Sequence, residues 1–183
     1  MNSHQVSWGD LGPDRERTES FVRDGSFKVV ANLPYAISTP WMDAICAGPH
    51  PEIMVLMLQR EAADRLTAEV GTKHWSAVTA QVALAFEKVK LHPVPGQSFN
   101  PPPKVDSCLL VLRRRPDAQR FSARAREVSR ALFTQRRKQV GSSGRNLFPD
   151  APDVRAWLDA LPNFGLTTLA RPEDIPAAVW LKL

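Results

Sequence analysis

The apolar runs of this chain are short and of strand length. Phe27 to Ala31 (FKVVA) and Glu52 to Gln59 (EIMVLMLQ) carry β-branched residues with few interruptions, the pattern of strands covered on both faces in a parallel sheet. Between them Ser38 or Thr39 offers a helix cap, Pro40 suits the first turn, and Trp41, Met42 and Ile45 form an apolar side that Gly48-Pro49 ends. Arg60 to Glu69 reads as a polar-faced helix with Ala63, Leu66 and Val70 on one side, stopped by Gly71. A strand-helix-strand-helix order predicts a parallel sheet with right-handed crossovers.

Trp75 to Ala85 continues as a helix, and Phe86 to Val94 and Ser107 to Arg113 as two strands joined by the loop Pro95 to Asp106. An antiparallel hairpin closing an otherwise parallel sheet fits them, and so do two separate strands. Past Pro116 the period changes. Helices are predicted over Ser122 to Val140, Asp153 to Leu161 and Pro172 to Leu183, with Gly141-Ser-Ser-Gly144 as a flexible break and Asn163 to Arg171 as a loop. Ahead of the first strand, Gln5 to Trp8 alternates weakly and ends in Gly9-Asp10, while Pro13 to Arg23 reads as a loop or short helix. The expectation is an α/β sheet domain over residues 1–116 followed by a small all-helical domain over 117–183, without internal repeats.

Composition keeps this picture and narrows the classes. With 183 residues, 43% hydrophobic and 23% charged, the chain can bury one ordinary core plus a small appendage. Its apolar runs are too short to span a bilayer, and the polar start Met1 to Asp10 lacks the apolar core of a signal peptide. Cys46 and Cys108 sit in apolar segments, as reduced core residues of a cytoplasmic protein do. His4, His50, His74 and His92 lack ligand spacing, so no metal site is expected.

Charge changes the picture more. Arg113 to Arg145 holds eleven basic residues against Asp117 and Glu127, whereas ten basic face twelve acidic residues before it and three face five after it. A basic block between weakly acidic flanks predicts a polyanion-binding face. A solvated charge-rich helix is the plainer alternative. Ten of the eleven are arginines, which favours forked contacts to phosphate.

The candidate chemistry lies where the first strand stops. Asn32-Leu33-Pro34-Tyr35 follows the apolar run; Pro34 cannot donate to a ladder and pushes Leu33 into an extended conformation. Asn32 and Tyr35 are thereby held on a stiff turn at the carboxyl edge of the sheet, where open α/β sheets bind ligands. A plain turn is the alternative. The loop 95–106 has four prolines around Phe99, a rigid setting that presents one aromatic at a fixed position, or caps the core with it.

Asn-Leu-Pro-Tyr resembles the catalytic tetrapeptide of amino-methyltransferases. Three further stretches, LMLQREAADRL at 56–66, SFNPPPKVDS at 98–107 and LFTQRRKQV at 132–140, make the chain similar, in order and spacing, to the ribosomal RNA adenine N6,N6-dimethyltransferases, where Leu33 and the proline triplet favour the small-subunit 16S type over the related large-subunit enzymes. The resemblance implies a Rossmann-like methyltransferase sheet, incomplete at its N-terminus, followed by the helical RNA-binding domain. It implies S-adenosylmethionine as cofactor and small-subunit ribosomal RNA in a pre-ribosomal particle as partner.

By position, the resemblance makes Asn32, Leu33, Pro34, Tyr35 and Phe99 the catalytic set, Asp10 and Asn32 the cofactor contacts, and Arg136, Arg137, Lys138 and Arg145 the RNA contacts. Adenine's exocyclic nitrogen is a poor nucleophile, its lone pair being delocalised into the ring. Acceptors on Asn32 and a backbone carbonyl near Pro34 would redirect that lone pair, while Tyr35 and Phe99 hold the base by its faces. Gln59, Arg60 and Glu61 match a stretch read as structural. The departure is the missing glycine-rich cofactor loop, since no Gly-x-Gly occurs. That implies either a piece of a longer gene product, the better fit, or a shortened relative acting as a non-catalytic rRNA-binding or ribosome-assembly module. A DNA amino-methyltransferase is a distant third.

Overall fold

The computed structural model describes residues 27–100 and 105–183, the side chain of Tyr35 excepted. The expected strand near Gln5, the Asp10 contact and the proline triplet lie outside these residues. Four strands form one mixed sheet in the order β1-β2-β4-β3: β1 Lys28–Asn32, β2 Ile53–Gln59, β3 Phe86–Val94 and β4 Ser107–Arg114. β1 and β2 run parallel, whereas β4 is inserted antiparallel between β2 and β3. The last two strands do form an antiparallel pair, with an irregularity between Lys88 and Lys90.

Helices α1 (Ser38–Ala47), α2 (Arg60–Leu66) and α3 (Ala77–Ala85) cover one face of the sheet. Met54, Leu56 and Leu58 of β2 and Cys108, Leu110 and Leu112 of β4 are buried there with Met42, Ile45 and Cys46 of α1. Burial alternates along β1 and β2 and through most of β4, since successive side chains point to opposite faces. On the other face Val55, Met57, Leu109 and Val111 are half-buried, and Val30 is 83% exposed. β1 is therefore not covered on both faces as its composition predicts: it is the outer strand of the described sheet, and only Val29 and Ala31 pack against the core. α2 also ends at Leu66, short of Gly71, which takes a positive φ of 82° in the following turn.

A second core gathers Phe121, Ala125, Val128 and Leu132 around Trp157, Leu158, Leu161, Ile175, Val179 and Trp180. It is built on α4 (Ala123–Thr134), α5 (Val140–Leu147), α6 (Pro152–Ala160) and the single turn α7 (Ala177–Trp180). The Trp157 and Trp180 rings stack 5.0 Å apart, and Trp157 Nε1 donates to the Val179 carbonyl at 3.0 Å, so the burial leaves the Trp157 indole N–H satisfied. α3 is buried on nearly every side because it faces both cores, Val78, Val82 and Ala85 to the sheet and Ala80 to the helical cluster.

Three helix predictions change. The helix expected over 122–140 breaks at 135–139, and its continuation is α5. The loop before Arg171 forces the restart, because its carbonyls accept the first amides of α5: Val140 N–H to Ala170 at 2.8 Å and Gly141 N–H to Thr168 at 2.9 Å. Gly141-Ser-Ser-Gly144 is thus helical, not a flexible break. Its glycines are packing residues, since a Cβ on Gly141 would stand 2.6 Å from Thr168 Cβ. The predicted helix 172–183 is cut by Pro176 into the 3₁₀ turn Pro172–Asp174 and α7.

Candidate active site at the carboxyl edge of the sheet

Asn32 ends β1 opposite Met57 with its side chain exposed. The next residue holds it in place. Leu33 donates its N–H to the Met57 carbonyl at 3.3 Å, and its side chain is 6% exposed, inside the sheet core. Only the backbone of Leu33 can therefore serve a ligand. Pro34 then turns the chain, with φ −56° and ψ 138°, into the 3₁₀ turn Tyr35–Ile37 that runs directly into α1. The Pro34 carbonyl accepts the Ile37 N–H at 3.1 Å, which leaves its second lone pair available. A buried leucine below and a locked proline above keep the exposed carboxamide from wandering. The expected base-stacking by Tyr35 concerns a side chain outside the description.

The same edge carries the aromatic loop. Gln59 at the end of β2 faces Ser107 at the start of β4, which faces Val94 at the end of β3. The connection 95–106 therefore leaves and returns beside Asn32's end of the sheet. Its first part is a 3₁₀ turn, Gly96–Ser98, after which Phe99 is half-buried and donates its N–H to the Gly96 carbonyl at 3.1 Å. The Asp106 carbonyl accepts the Arg60 N–H at 2.9 Å, so the loop is fastened where α2 begins. β1 and β3 are the outer strands, about 14 Å apart at three strand spacings.

Arg60 and Glu61 are spent on α2 itself, in exposed pairs with Asp64 and Arg65 at 3.0 Å each. Sequence reasoning missed Asp43, one turn into α1. Its carboxylate accepts from Gln81 Nε2 of α3 at 3.0 Å and pairs with Arg130 of α4. The helix that grows out of the Asn32 turn is thereby tied to both cores. No spacing in the sequence announces a partner 87 residues away.

The basic residues separate into two kinds. Arg136 is half-buried and donates through Nε to Glu173 at 3.1 Å, holding the 135–139 turn against the C-terminal segment. Arg137 and Lys138 on that turn, and Arg145 on α5, are exposed. Burial pushes the Cys46 thiol far above its ordinary range, with the Asp43 carboxylate adding to it. Cys108 is raised by the same cause. Neither is poised to act as a thiolate. Among the described residues no three His, Cys, Asp or Glu cluster as metal ligands, and no helix is long and apolar enough to cross a membrane.

A family model described as ribosomal RNA adenine dimethylase matches residues 12–158. The chain is 46% identical over 158 residues to the ribosomal RNA small subunit methyltransferase A of Opitutus terrae, covering 86% of this chain and 56% of that protein. It is 32% identical over 166 residues to the protein of the same name from Acinetobacter baylyi, covering 88% and 58%. The chain thus spans a little over half the length of these relatives. In structure it is similar to a dimethyladenosine transferase from Plasmodium falciparum, with a TM-score of 0.69, 27% identity and coverage of 85% of this chain and 65% of that one. The 23S rRNA methyltransferase ErmE matches with a TM-score of 0.56 and 28% identity, over 86% and 63%.

Proposed function

The chain belongs to the ribosomal RNA adenine dimethylase family, and from that premise we propose that it takes part in N6,N6-dimethylation of adenines in small-subunit ribosomal RNA, on a pre-ribosomal particle in the cytoplasm. One observation carries the reading: Asn32 is exposed at the carboxyl end of β1 on a turn whose next residue is locked in the core. Its Oδ1 accepts one N–H of the adenine amino group, and the free lone pair of the Pro34 carbonyl accepts the other. The nitrogen lone pair then points out of the ring, and the same acceptors stabilise the positive charge that grows on it. Tyr35 and Phe99 are the proposed stacking partners of the extruded base.

The cofactor proposed is S-adenosylmethionine, which supplies an electrophilic methyl group. Among the described residues, the exposed carboxamide of Asn32 at the ligand-binding edge fits a polar contact to it, while Asp10 lies outside them. Residues 1–116 are proposed to hold base and cofactor, and residues 117–183 the RNA backbone through Arg137, Lys138 and Arg145, with Arg136, expected there too, engaged by Glu173 instead. Asn32→Ala is expected to lower methyl transfer to small-subunit RNA by about 10²–10³-fold while RNA binding is kept. Unchanged turnover in that variant would refute the role.

A second reading, an RNA-binding module without catalysis, is favoured by the exposure of Arg137, Lys138 and Arg145. Calorimetry separates the two: RNA binding without S-adenosylmethionine binding supports the module.

A further inference from the structure

A concavity lined mainly by basic side chains lies at the opposite end of the sheet from Asn32. There the start of β1, the start of β2 and the end of β4 enclose a cleft of about 800 Å³. Lys28, Arg113, Arg114, Arg115 and Arg120 line it, with Glu52 as the one lining carboxylate. Register explains the gathering: Lys28 faces Ile53, and Ile53 faces Arg113, so the three share one row across the sheet. Lys28 and Arg113 stand two strand spacings apart, about 9–10 Å, within reach of one or two successive phosphates.

The backbone here is fixed. The Arg114 N–H donates to the Glu52 carbonyl at 2.9 Å and the Arg115 N–H to the Ala85 carbonyl at 3.0 Å, while Arg114 Nη1 donates to the His50 carbonyl at 3.0 Å. The side chains are less committed. Arg113 pairs with Glu87 at 3.4 Å and Arg115 with Asp117 at 3.2 Å, both pairs exposed, and such pairs exchange readily for another anion. Lys28 and Arg120 are exposed and have no ion pair among the described residues. His50 forms part of the wall but is buried, its Nε2 against the Cys46 carbonyl, so it does not serve as a ligand. Like charges gathered in a concave site repel one another, and a bound polyanion relieves that repulsion.

We propose that this cleft is a second RNA contact, gripping backbone phosphates on the far side of the sheet from the methyl-transfer edge. The proposal rests on the RNA-binding part of the reading above, since free phosphate shares the chemistry. RNA is favoured because the cleft runs through Arg120 into the arginine-rich segment ahead of α4. Contacts of this kind set how the nucleic acid lies and carry no sequence information.

The test is anisotropy of a labelled small-subunit ribosomal RNA hairpin and an unrelated hairpin on the full chain, across a salt series. Lys28→Gln with Arg120→Gln, two exposed side chains without an ion pair among the described residues, should weaken both hairpins about equally, several-fold, and flatten the log–log salt slope by roughly 2. Glu52→Gln should tighten both. Wild-type affinity and slope in the double variant, with no gain from Glu52→Gln, overturn the proposal. So does a result in which inorganic phosphate binding responds to these changes but RNA binding does not. Methyl transfer, followed separately with Asn32→Ala, reports on the catalytic reading, and its failure leaves the cleft's effect on binding measurable.

Discussion

Neighbouring side chains in this chain do opposite jobs, and the site depends on it. Asn32 is exposed and Leu33 is buried, so the first is open to a ligand while the second anchors the turn that carries it. The sequence makes this half legible: an apolar run that ends in Asn-Leu-Pro announces a rigid turn, but not which side chain turns inward. His50 is the residue whose environment has the clearest consequence for stability. Burial, and then the charges of Arg120 and Arg114, hold its pKa below the ordinary imidazole range against the opposing pull of the Cys46 carbonyl. The unfolded chain takes up this proton near pH 6.5 and the folded chain only at lower pH. Its contribution to stability is therefore fully present above about pH 6.5 and lost as pH falls below that. Urea denaturation at pH 7.5 and 5.5 should show the decline, and His50→Gln, which keeps an N–H for the Cys46 carbonyl, should reduce it.

At the scale of elements, helices join through contacts that no periodicity reveals. Alanine normally improves a helix over glycine by about 1 kcal/mol, yet at Gly141 the added carbon would meet Thr168 Cβ at 2.6 Å and its carbonyl oxygen at 2.8 Å. A backbone atom cannot step aside cheaply, so overpacking wins. Gly141→Ala should destabilise by about 1–3 kcal/mol, measured by thermal or chemical denaturation. The Asp43 clamp has a similar asymmetry. Its carboxylate is 18% exposed but the Arg130 guanidinium 52%, so Arg130→Ala should cost about 0–1 kcal/mol. Asp43→Ala also removes one of the two acceptors of Gln81 Nε2, leaving only the Ala77 carbonyl at 3.3 Å, and should cost roughly 1–3 kcal/mol. The strands were readable as short, nearly uninterrupted apolar runs. The break between α4 and α5 was not, because it is imposed by carbonyls of a loop thirty residues downstream.

Across the whole molecule, the basic block divides by what each charge already holds. Arg136 is engaged with Glu173, whereas Arg137, Lys138 and Arg145 are exposed. Replacing those three by Gln should weaken RNA binding and lower the salt slope by about 3 with little loss of stability. Arg136→Gln should instead lower the melting temperature, because the half-buried Glu173 loses its cation. Composition could count these charges but could not sort them. The α/β order and the helical C-terminal part were legible from the chain; the covering of β1 was not, because coverage depends on what lies beside a strand rather than on its own residues.

The insertion of β4 between β2 and β3 also bears on birth as well as on form. Synthesis delivers residues from the amino end, so two strands emerge before the one that must separate them. Until residue 107 and its successors are made, β2 has one flank without a ladder, and its apolar side chains wait with it. Nascent chains stopped short of that point should be the ones chaperones hold, and release should follow the arrival of the middle strand.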